Sequence, residues 1–557
     1  MKRLVVLLAA LSLAAASAWA AAPSHKKSEE HKADEKSEGK PEATGFFKPE
    51  SSTTSGSVTV EGRRIDYEAV AGTLVVHPRG WDDAAKKPEK DDDKDKTAAG
   101  ADKNPDAEAS MFYVAYFKKG AAAGSRPVTF LFNGGPGSST MWLHIGAFGP
   151  RRVVTADDSH TPPAPYRVVN NDFSLLDASD LVFIDAPGTG FSRVAGKDKE
   201  KSFYGVDPDA YAFCQFVTQF LSKYGRWNSP KYLFGESYGT PRASVMVNQL
   251  ERSNDVDMNG VILLSAVLNF DLGPDGPENN PGVDVPYELA LPTYAATAWY
   301  HHKVSAPELG PFLDEVEHFS ETDYALALAQ GASLPDAQRE AMAAKLHDYT
   351  GLPIDYIKKA NLRITGGEFE KTLQDDEGET TGRLDTRFSG PSLDPLSKSA
   401  DYDPQSAAIS AAYVAAFNSY VRKDLHFGDG QTYRPTAYDV VSPHWIRSHI
   451  PPGGGFGGGP PTAPPNAPNV MPDLAGAMKY NPDLKVLLAG GYYDLATPFF
   501  GAEYEMHHLP MPAKLQSNIE YHFYQSGHMV YAHEASLKQI HDNVSAFIRK
   551  TSREKSE

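Results

Sequence analysis

Cysteine is almost missing from this sequence. Cys214 is the only cysteine among 557 residues, so no intramolecular disulfide can form. The segment around it, DAYAFCQFVTQFLSKYG, repeats apolar residues at helical spacing and predicts a buried core thiol. The fold must therefore be stabilised by packing alone, and a disulfide-stapled scaffold is excluded.

Basic residues are fewer than acidic residues. The chain has 54 Lys and Arg against 72 Asp and Glu, a formal net charge of -18. This balance disfavours nucleic acid and anionic membrane as partners, because both would repel the chain. Beyond the first twenty residues, no apolar run in the sequence is long enough to span a bilayer, and we expect no stable membrane insertion.

Motifs for metal and nucleotide binding are lacking too. The stretch HEASLKQIH has Leu537 where a zinc-binding helix needs its second histidine. The paired histidines at 301–302 and 507–508 have no Cys or carboxylate companions at ligand spacing. The glycines of PPGGGFGGGPP are not followed by the Lys and Ser or Thr of a P-loop. We therefore expect no cofactor and no metal.

The N-terminus reads as a targeting segment. Residues 1–20 contain two basic residues, a short apolar stretch and a small-x-small site that ends at Ala20. We interpret them as a cleavable signal peptide, which predicts a secreted or periplasmic protein; a retained membrane anchor is the alternative. Residues 21–50 are rich in Lys, Glu and Ser, and a disordered charged tail is expected there.

Past this tail, short β-branched and aromatic runs alternate with helical stretches. Runs such as PVTFLFNGG, DLVFIDAPGTG and KYLFGES are apolar on both faces, which predicts an α/β fold with a mostly parallel central sheet and helices on both faces. We expect a first part of this core over 51–272, with a charged loop at 84–109. A mainly helical insertion with a Pro/Gly-rich end would occupy 273–472, and the second part of the core 473–550.

The stretch GESYG places Ser237 in a G-x-S-x-G pattern. The pentapeptide alone is a weak signal, but KYLF before it reads as a buried strand. The residues after it read as a helix, with Pro241 in the first turn. A sharp turn between strand and helix exposes the serine hydroxyl above a sheet, so Ser237 is a candidate nucleophile.

A serine nucleophile needs a base and a carboxylate that orients the base. Asp494 follows the apolar run KVLLAGG, and His528 follows the run around YHFY. Taken alone, Asp494 would be read as a helix cap and His528 as a structural residue. The order Ser, Asp, His, with each residue after a strand, favours a catalytic triad.

Five sequence blocks then identify a resemblance. They are NGGPGSS (133–139), DAPGTGFS (185–192), GESYG (235–239), AGGYYD ending at Asp494, and SGHMV around His528. In these blocks the chain resembles the serine carboxypeptidases, exopeptidases of the α/β-hydrolase fold with a helical insertion over the active site. The resemblance covers 127–270 and 484–547.

The resemblance implies a role for each motif residue. Ser237 would be the nucleophile, His528 the general acid and base, and Asp494 the residue that orients it. The backbone N–H groups of Gly135 and Tyr238 would form the oxyanion hole.

The resemblance also implies a site for the C-terminal carboxylate of a substrate. Asn133, the N–H of Gly134 and Glu236 would bind it, and Glu236 must be protonated to donate a hydrogen bond there. A second acidic residue of the family pattern is replaced here by Ala147. That replacement leaves the pH dependence open.

The leading hypothesis is a secreted serine carboxypeptidase that removes C-terminal residues from peptides through an acyl-enzyme. An esterase or acyltransferase using the same triad is the alternative. A catalytically silent binding protein on the same scaffold is a third reading, which the intact triad disfavours.

Overall fold

Most strands lie within residues 51–264 and 485–524, and the residues between these two ranges are mainly helical. The computed structural model describes residues 45–82, 104–449, 451 and 467–552. The signal peptide and all of the charged tail before residue 45 lie outside the described residues. So do most of the expected charged loop and the Gly-rich stretch of the Pro/Gly-rich segment. The residues from Gly45 onward group into one unit.

The strands of the described ranges are β1 (Ser51–Val60), β2 (Arg63–Val76), β3 (Glu108–Lys118), β4 (Val128–Phe132), β5 (Arg151–Val153), β6 (Val168–Asn170), β7 (Asp180–Ile184), β8 (Arg193–Ala195), β9 (Lys231–Glu236), β10 (Gly260–Leu264), β11 (Glu379–Thr381), β12 (Ser389–Pro391), β13 (Lys485–Gly491) and β14 (Ile519–Tyr524). The expected loop over 84–109 therefore gives way to β3 at Glu108, whose side chain is already buried.

The α-helices of the same ranges are α1 (Lys199–Phe203), α2 (Val206–Tyr224), α3 (Gly239–Ser253), α4 (Val285–Tyr300), α5 (Leu309–Phe319), α6 (Ala325–Gln330), α7 (Asp336–Thr350), α8 (Ile354–Lys359), α9 (Gly366–Thr372), α10 (Pro404–Lys423), α11 (Tyr438–Val441), α12 (Met471–Tyr480), α13 (Phe499–His507) and α14 (Glu534–Thr551). None of the helices in this part of the chain is long and apolar enough to cross a membrane.

The main sheet has the strand order β1-β2-β3-β7-β4-β9-β10-β13-β14, with β8 paired to β3. From β7 to β14 every neighbouring pair is parallel. The strands β1, β2 and β3 extend the sheet in antiparallel pairing. The predicted mostly parallel sheet is confirmed, and its crossovers give the α/β-hydrolase fold.

Helices cover both faces of this sheet, as the apolar runs predicted. Alternate residues of β9 belong to different core clusters: Leu233 packs with α2, α3 and α12, whereas Tyr232 and Phe234 pack with α10 and α14. Cys214 on α2 is buried, as expected, and burial raises the pKa of its thiol. Because strands are covered on both sides, the ends of the parallel strands are where side chains can reach a ligand.

The residues between β10 and β13 are mainly helical, and α4 to α9 form a hydrophobic cluster of their own. Tyr493 and Leu495, which flank Asp494 beyond β13, belong to that same cluster. The helical region is thus packed directly against a loop that carries a predicted site residue.

Candidate active site

Ser237 lies in the tight turn between β9 and α3. Its φ is 59°, in the left-handed region that residues with a side chain rarely adopt. A Cβ on Gly235 would lie 2.0 Å from the carbonyl oxygen of Gly239, so the turn closes only with glycine there. The Ser237 N–H donates to the carbonyl of Leu264 at the end of β10. The predicted strand, turn and helix are present, and neighbouring strands hold the turn.

Asp494 and His528 meet at the same edge of the sheet. They follow β13 and β14, which pair in parallel, so their loops leave the sheet side by side. His528 Nδ1 lies 2.8 Å from Asp494 Oδ2. The Thr497 hydroxyl donates to the same oxygen at 2.7 Å, while the backbone N–H groups of Ala496 and Thr497 donate to Asp494 Oδ1. Thr497 was not predicted, although it stands only three residues beyond Asp494.

The electrostatics of this pair suit a general base. Burial lowers the pKa of His528, but the Asp494 charge and hydrogen bond, together with the Glu236 charge, raise it, and the net direction is upward. An imidazole so placed can accept a proton from a hydroxyl and be stabilised as imidazolium. The Ser265 hydroxyl donates to the backbone carbonyl of His528 at 2.8 Å and helps to hold its loop.

A short segment of the helical region ties the two loops together. The N–H of His528 donates to the carbonyl of Leu384 at 2.6 Å, and the N–H of Leu495 donates to the carbonyl of Arg383. Asp385, which is fully buried, accepts from the N–H of Gly527 and pairs with Arg387 at 2.6 Å. No local pattern in the sequence marked this segment, because its partners are more than 100 positions away.

Ser237 and His528 line one cavity of about 1110 Å³. The remaining predicted site residues on its wall are Asn133, Gly134, Gly135, Glu236 and Tyr238. Seven residues from three separate stretches of sequence are thus brought to one space. Asp494 stands behind His528, fully buried.

The loop after β4 closes against the nucleophile turn. A Cβ on Gly134 would lie only 2.3 Å from the backbone nitrogen of Tyr238. Glycine at this position therefore allows the loop after β4 to contact the turn that carries Ser237. The backbone of Gly135 therefore lies near that of Tyr238, at the N-terminus of α3. Backbone N–H groups at a helix start favour a developing negative charge.

Glu236 brings a buried carboxyl group to the cavity wall, and it is 3% exposed. Burial raises its pKa to about 7, against the opposing effects of the His528 charge and of hydrogen bonds from Tyr531 and Asn133. The N–H of Leu143 donates to Asn133 Oδ1, which turns the Asn133 NH₂ group towards Glu236. At position 147 the buried alanine only offers its carbonyl to the Asn171 amide. Position 147 therefore supplies no second carboxyl beside Glu236.

Arg242 on α3 holds the β4 loop from within the core. Its Nε lies 2.6 Å from Asp209 Oδ2 on α2, and its Nη1 donates to the Asn133 carbonyl at 2.7 Å. The two charged side chains are 0% and 2% exposed. This buried ion pair was not predicted, since an arginine in a helix reads as a surface residue.

Arg242→Met should lower the free energy of unfolding by about 3–5 kcal/mol, because it leaves the Asp209 carboxylate buried without a partner charge. Urea denaturation followed by circular dichroism measures this. The double variant Asp209→Asn/Arg242→Met removes both charges and should recover much of the loss. A double variant as unstable as the single one would contradict the buried-charge explanation.

Among the residues described, no group of three or more His, Cys, Asp or Glu is arranged to hold a metal ion. The side chains of the site offer a hydroxyl on a strained turn, a buried imidazole and carboxylate, and a carboxyl that is protonated below about pH 7.

Part of the chain is similar to known proteins. Residues 90–272 match the family model described as serine carboxypeptidase. The pheromone-processing carboxypeptidase KEX1 of Yarrowia lipolytica is 31% identical over 167 residues, which are 29% of this chain and 24% of that protein. The serine carboxypeptidase-like 36 of Arabidopsis thaliana is 25% identical over 177 residues, 30% of this chain and 34% of that protein.

A solved monoglyceride lipase variant from Saccharomyces cerevisiae has 10% identity and a TM-score of 0.32, and it covers 86% of this chain and 100% of its own. The chain spans only about a quarter to a third of the curated relatives named above. Within that limit, the resemblance to the serine carboxypeptidase family is confirmed, and residues 90–272 carry it.

Proposed function

We propose that this protein is a serine carboxypeptidase that hydrolyses the C-terminal peptide bond of peptides. One observation carries the proposal: Glu236, a buried carboxyl with a pKa raised to about 7, lines the same cavity as Ser237 and His528. A hydroxyl with its base would serve any acyl hydrolase. A neutral carboxyl beside it is what a free substrate carboxylate needs as hydrogen-bond donor.

In the proposed reaction, Ser237 Oγ attacks the carbonyl carbon of the last peptide bond while His528 Nε2 takes the hydroxyl proton. The N–H groups of Gly135 and Tyr238 stabilise the oxyanion. The imidazolium, held by Asp494, then protonates the leaving nitrogen, and the C-terminal amino acid departs. Water, deprotonated by His528, attacks the Ser237 ester. The bond between the acyl carbon and Ser237 Oγ breaks, His528 returns the proton to Ser237 Oγ, and the shortened peptide leaves with a new carboxylate.

Substrate positioning is assigned to three residues that line the cavity with Ser237. The Asn133 amide, the Gly134 N–H and the protonated Glu236 would bind the C-terminal carboxylate. This places the last peptide bond, rather than an internal one, at Ser237. Peptides with a free C-terminus are therefore the proposed substrates.

A matched pair of peptides tests the proposal. One peptide has a free C-terminus, and its twin is amidated; products are read by mass spectrometry over time. The free peptide should lose residues one at a time, and kcat/KM for the amide should be at least tenfold lower. Equal cleavage of both would remove the exopeptidase assignment, and turnover of small esters alone would select an esterase.

Glu236→Gln should remove the alkaline limb of the pH profile. In the wild type, kcat/KM for the free peptide should fall about tenfold per pH unit well above pH 7, because the carboxyl that must donate becomes ionised. A glutamine amide donates at every pH, and the Tyr531 hydroxyl can still donate to its oxygen. The measurement is kcat/KM from pH 5 to 9; a limb that persists in the variant would assign it to another group.

We also propose that the chain is exported, on the strength of the signal-like residues 1–20. Edman degradation of the protein secreted by an expressing host should begin at residue 21. The remaining domain bounds, with a helical insertion at 273–472 between core parts 51–272 and 473–550, are kept as the proposed organisation.

A further inference from the structure

Tyr531 contacts Glu236 from the core side. It lies in a short 3₁₀ turn, Val530–Ala532, three residues after His528. Its hydroxyl donates to Glu236 at 2.9 Å from Oε2 and 3.2 Å from Oε1. The tyrosine ring belongs to the hydrophobic core, whereas Glu236 reaches the cavity wall. The phenol thus approaches the carboxyl group of the residue that precedes Ser237.

We infer that Tyr531 is a positioning residue for substrate carboxylate recognition, whose hydroxyl engages one oxygen of Glu236 so that the other oxygen faces the substrate. The inference rests on the proposed function and deepens it. It names the group that decides how Glu236 is presented.

The donors and acceptors of a neutral carboxyl group explain why Glu236 needs a hydrogen-bond donor on its core side. A neutral carboxyl group has one O–H donor, and its other oxygen only accepts. If Tyr531 donates to Oε2, the proton of Glu236 is placed on Oε1, where it can be given to a substrate carboxylate. Burial raises the pKa of Tyr531 far above its usual range, so the phenol stays a donor at every working pH.

Other groups near Glu236 also influence its ionisation or are influenced by its charge. They are His528 and Asp494 on the loops after β14 and β13, Asn133 after β4, Tyr413 on α10 and Tyr438 on α11. The Asp494 charge raises the pKa of Glu236, and the hydrogen bond from Tyr531 lowers it. Among the hydrogen-bonding partners, the phenol is the one that a single conservative substitution can remove without touching the triad.

Tyr531→Phe should therefore move the alkaline limb of kcat/KM for the free-carboxylate peptide upward by about one pH unit. The reason is that a hydrogen bond to an ionised carboxylate is stronger than one to the neutral acid, so its loss favours the protonated form. A small ester, which does not use Glu236, should keep its pH profile. In the Glu236→Gln background, Tyr531→Phe should not change the pH dependence of kcat/KM for the free-carboxylate peptide.

Two further proteins sharpen the test. Tyr324→Phe removes another buried phenol, which donates to the Leu362 carbonyl in the helical region, and should leave the limb in place. Full-length protein with 3-fluorotyrosine at position 531 keeps the ring and its packing but carries a more acidic phenol. Its stronger donation to the carboxylate should move the limb downward, and this variant serves if Tyr531→Phe does not fold.

The outcomes are distinct. A limb that stays in place or moves in the opposite direction, while the wild type still prefers the free peptide to its amide, overturns the inference alone. An equal shift with the ester means that Tyr531 acts through His528, which also overturns it. Equal cleavage of peptide and amide by the wild type removes the proposed function and this inference with it.

Discussion

Ser237→Ala should reduce kcat for peptide hydrolysis by about 10⁵-fold or more, since loss of the nucleophile leaves only binding and oxyanion stabilisation. The φ of 59° makes this position costly for any residue with a side chain, so the serine is kept there against backbone strain. Alanine removes one oxygen and can adopt the same backbone. The fold should therefore survive, and the loss should appear in kcat rather than in stability.

Ser244→Ala is the matched control. Ser244 lies seven residues further along, on α3, is buried, and donates to the carbonyl of Thr240 at 2.9 Å. Its loss should leave kcat within about twofold of the wild type, at a small cost in stability. A serine-reactive phosphonate should label the wild type and the control but not Ser237→Ala. Activity of Ser237→Ala near that of the control would rule out the proposed nucleophile.

Asp494→Asn should lower kcat by about 10⁴-fold, because it holds His528 in the tautomer that cannot act as a base. Asp494 Oδ1 accepts from two backbone N–H groups, at 2.9 and 3.0 Å, so the amide oxygen of an asparagine must take that place. Its NH₂ group then faces His528 Nδ1 and donates to it. The imidazole is forced to carry its proton on Nε2, where it can no longer accept one from Ser237.

The pH dependence separates this explanation from simple damage. With a small ester, which does not use Glu236, a tautomer block should be partly relieved at high pH. At a fixed pH below about 7, KM of the variant for the free peptide should stay close to that of the wild type. Asp483→Asn, at an exposed position two residues before β13, is the control and should keep full activity. A loss of less than about 100-fold in Asp494→Asn would contradict the orienting role.

Local pattern was a good guide wherever one stretch of chain determines its own structure. The run at 231–234, the glycines around Ser237 and the proline four residues after it are neighbours in sequence. They dictate a buried strand, a turn without room for Cβ atoms and a helix start, and the structure has all three. Parallel pairing followed from strands that are apolar on both faces, and it brought Asp494 beside His528.

Local sequence patterns did not predict contacts between residues that are far apart in the sequence. Tyr531 and Glu236 are 295 positions apart, and Gly527 and Asp385 are 142 apart. Each of these residues looks ordinary in its own segment: a tyrosine after a valine, an aspartate between short strands. Arg242 likewise shows no sign in the sequence that its charge is buried against Asp209.

The amino-acid sequence was enough to propose the class of chemistry, because the turn at Ser237 and the strand ends that carry Asp494 and His528 are encoded by short-range sterics and by hydrophobic periodicity. Tertiary structure alone decided how those groups are tuned. The electrostatic state of Glu236 and His528 depends on burial and on which distant donors approach within hydrogen-bonding distance. Those quantities are properties of packing in three dimensions, where residues hundreds of positions apart become neighbours.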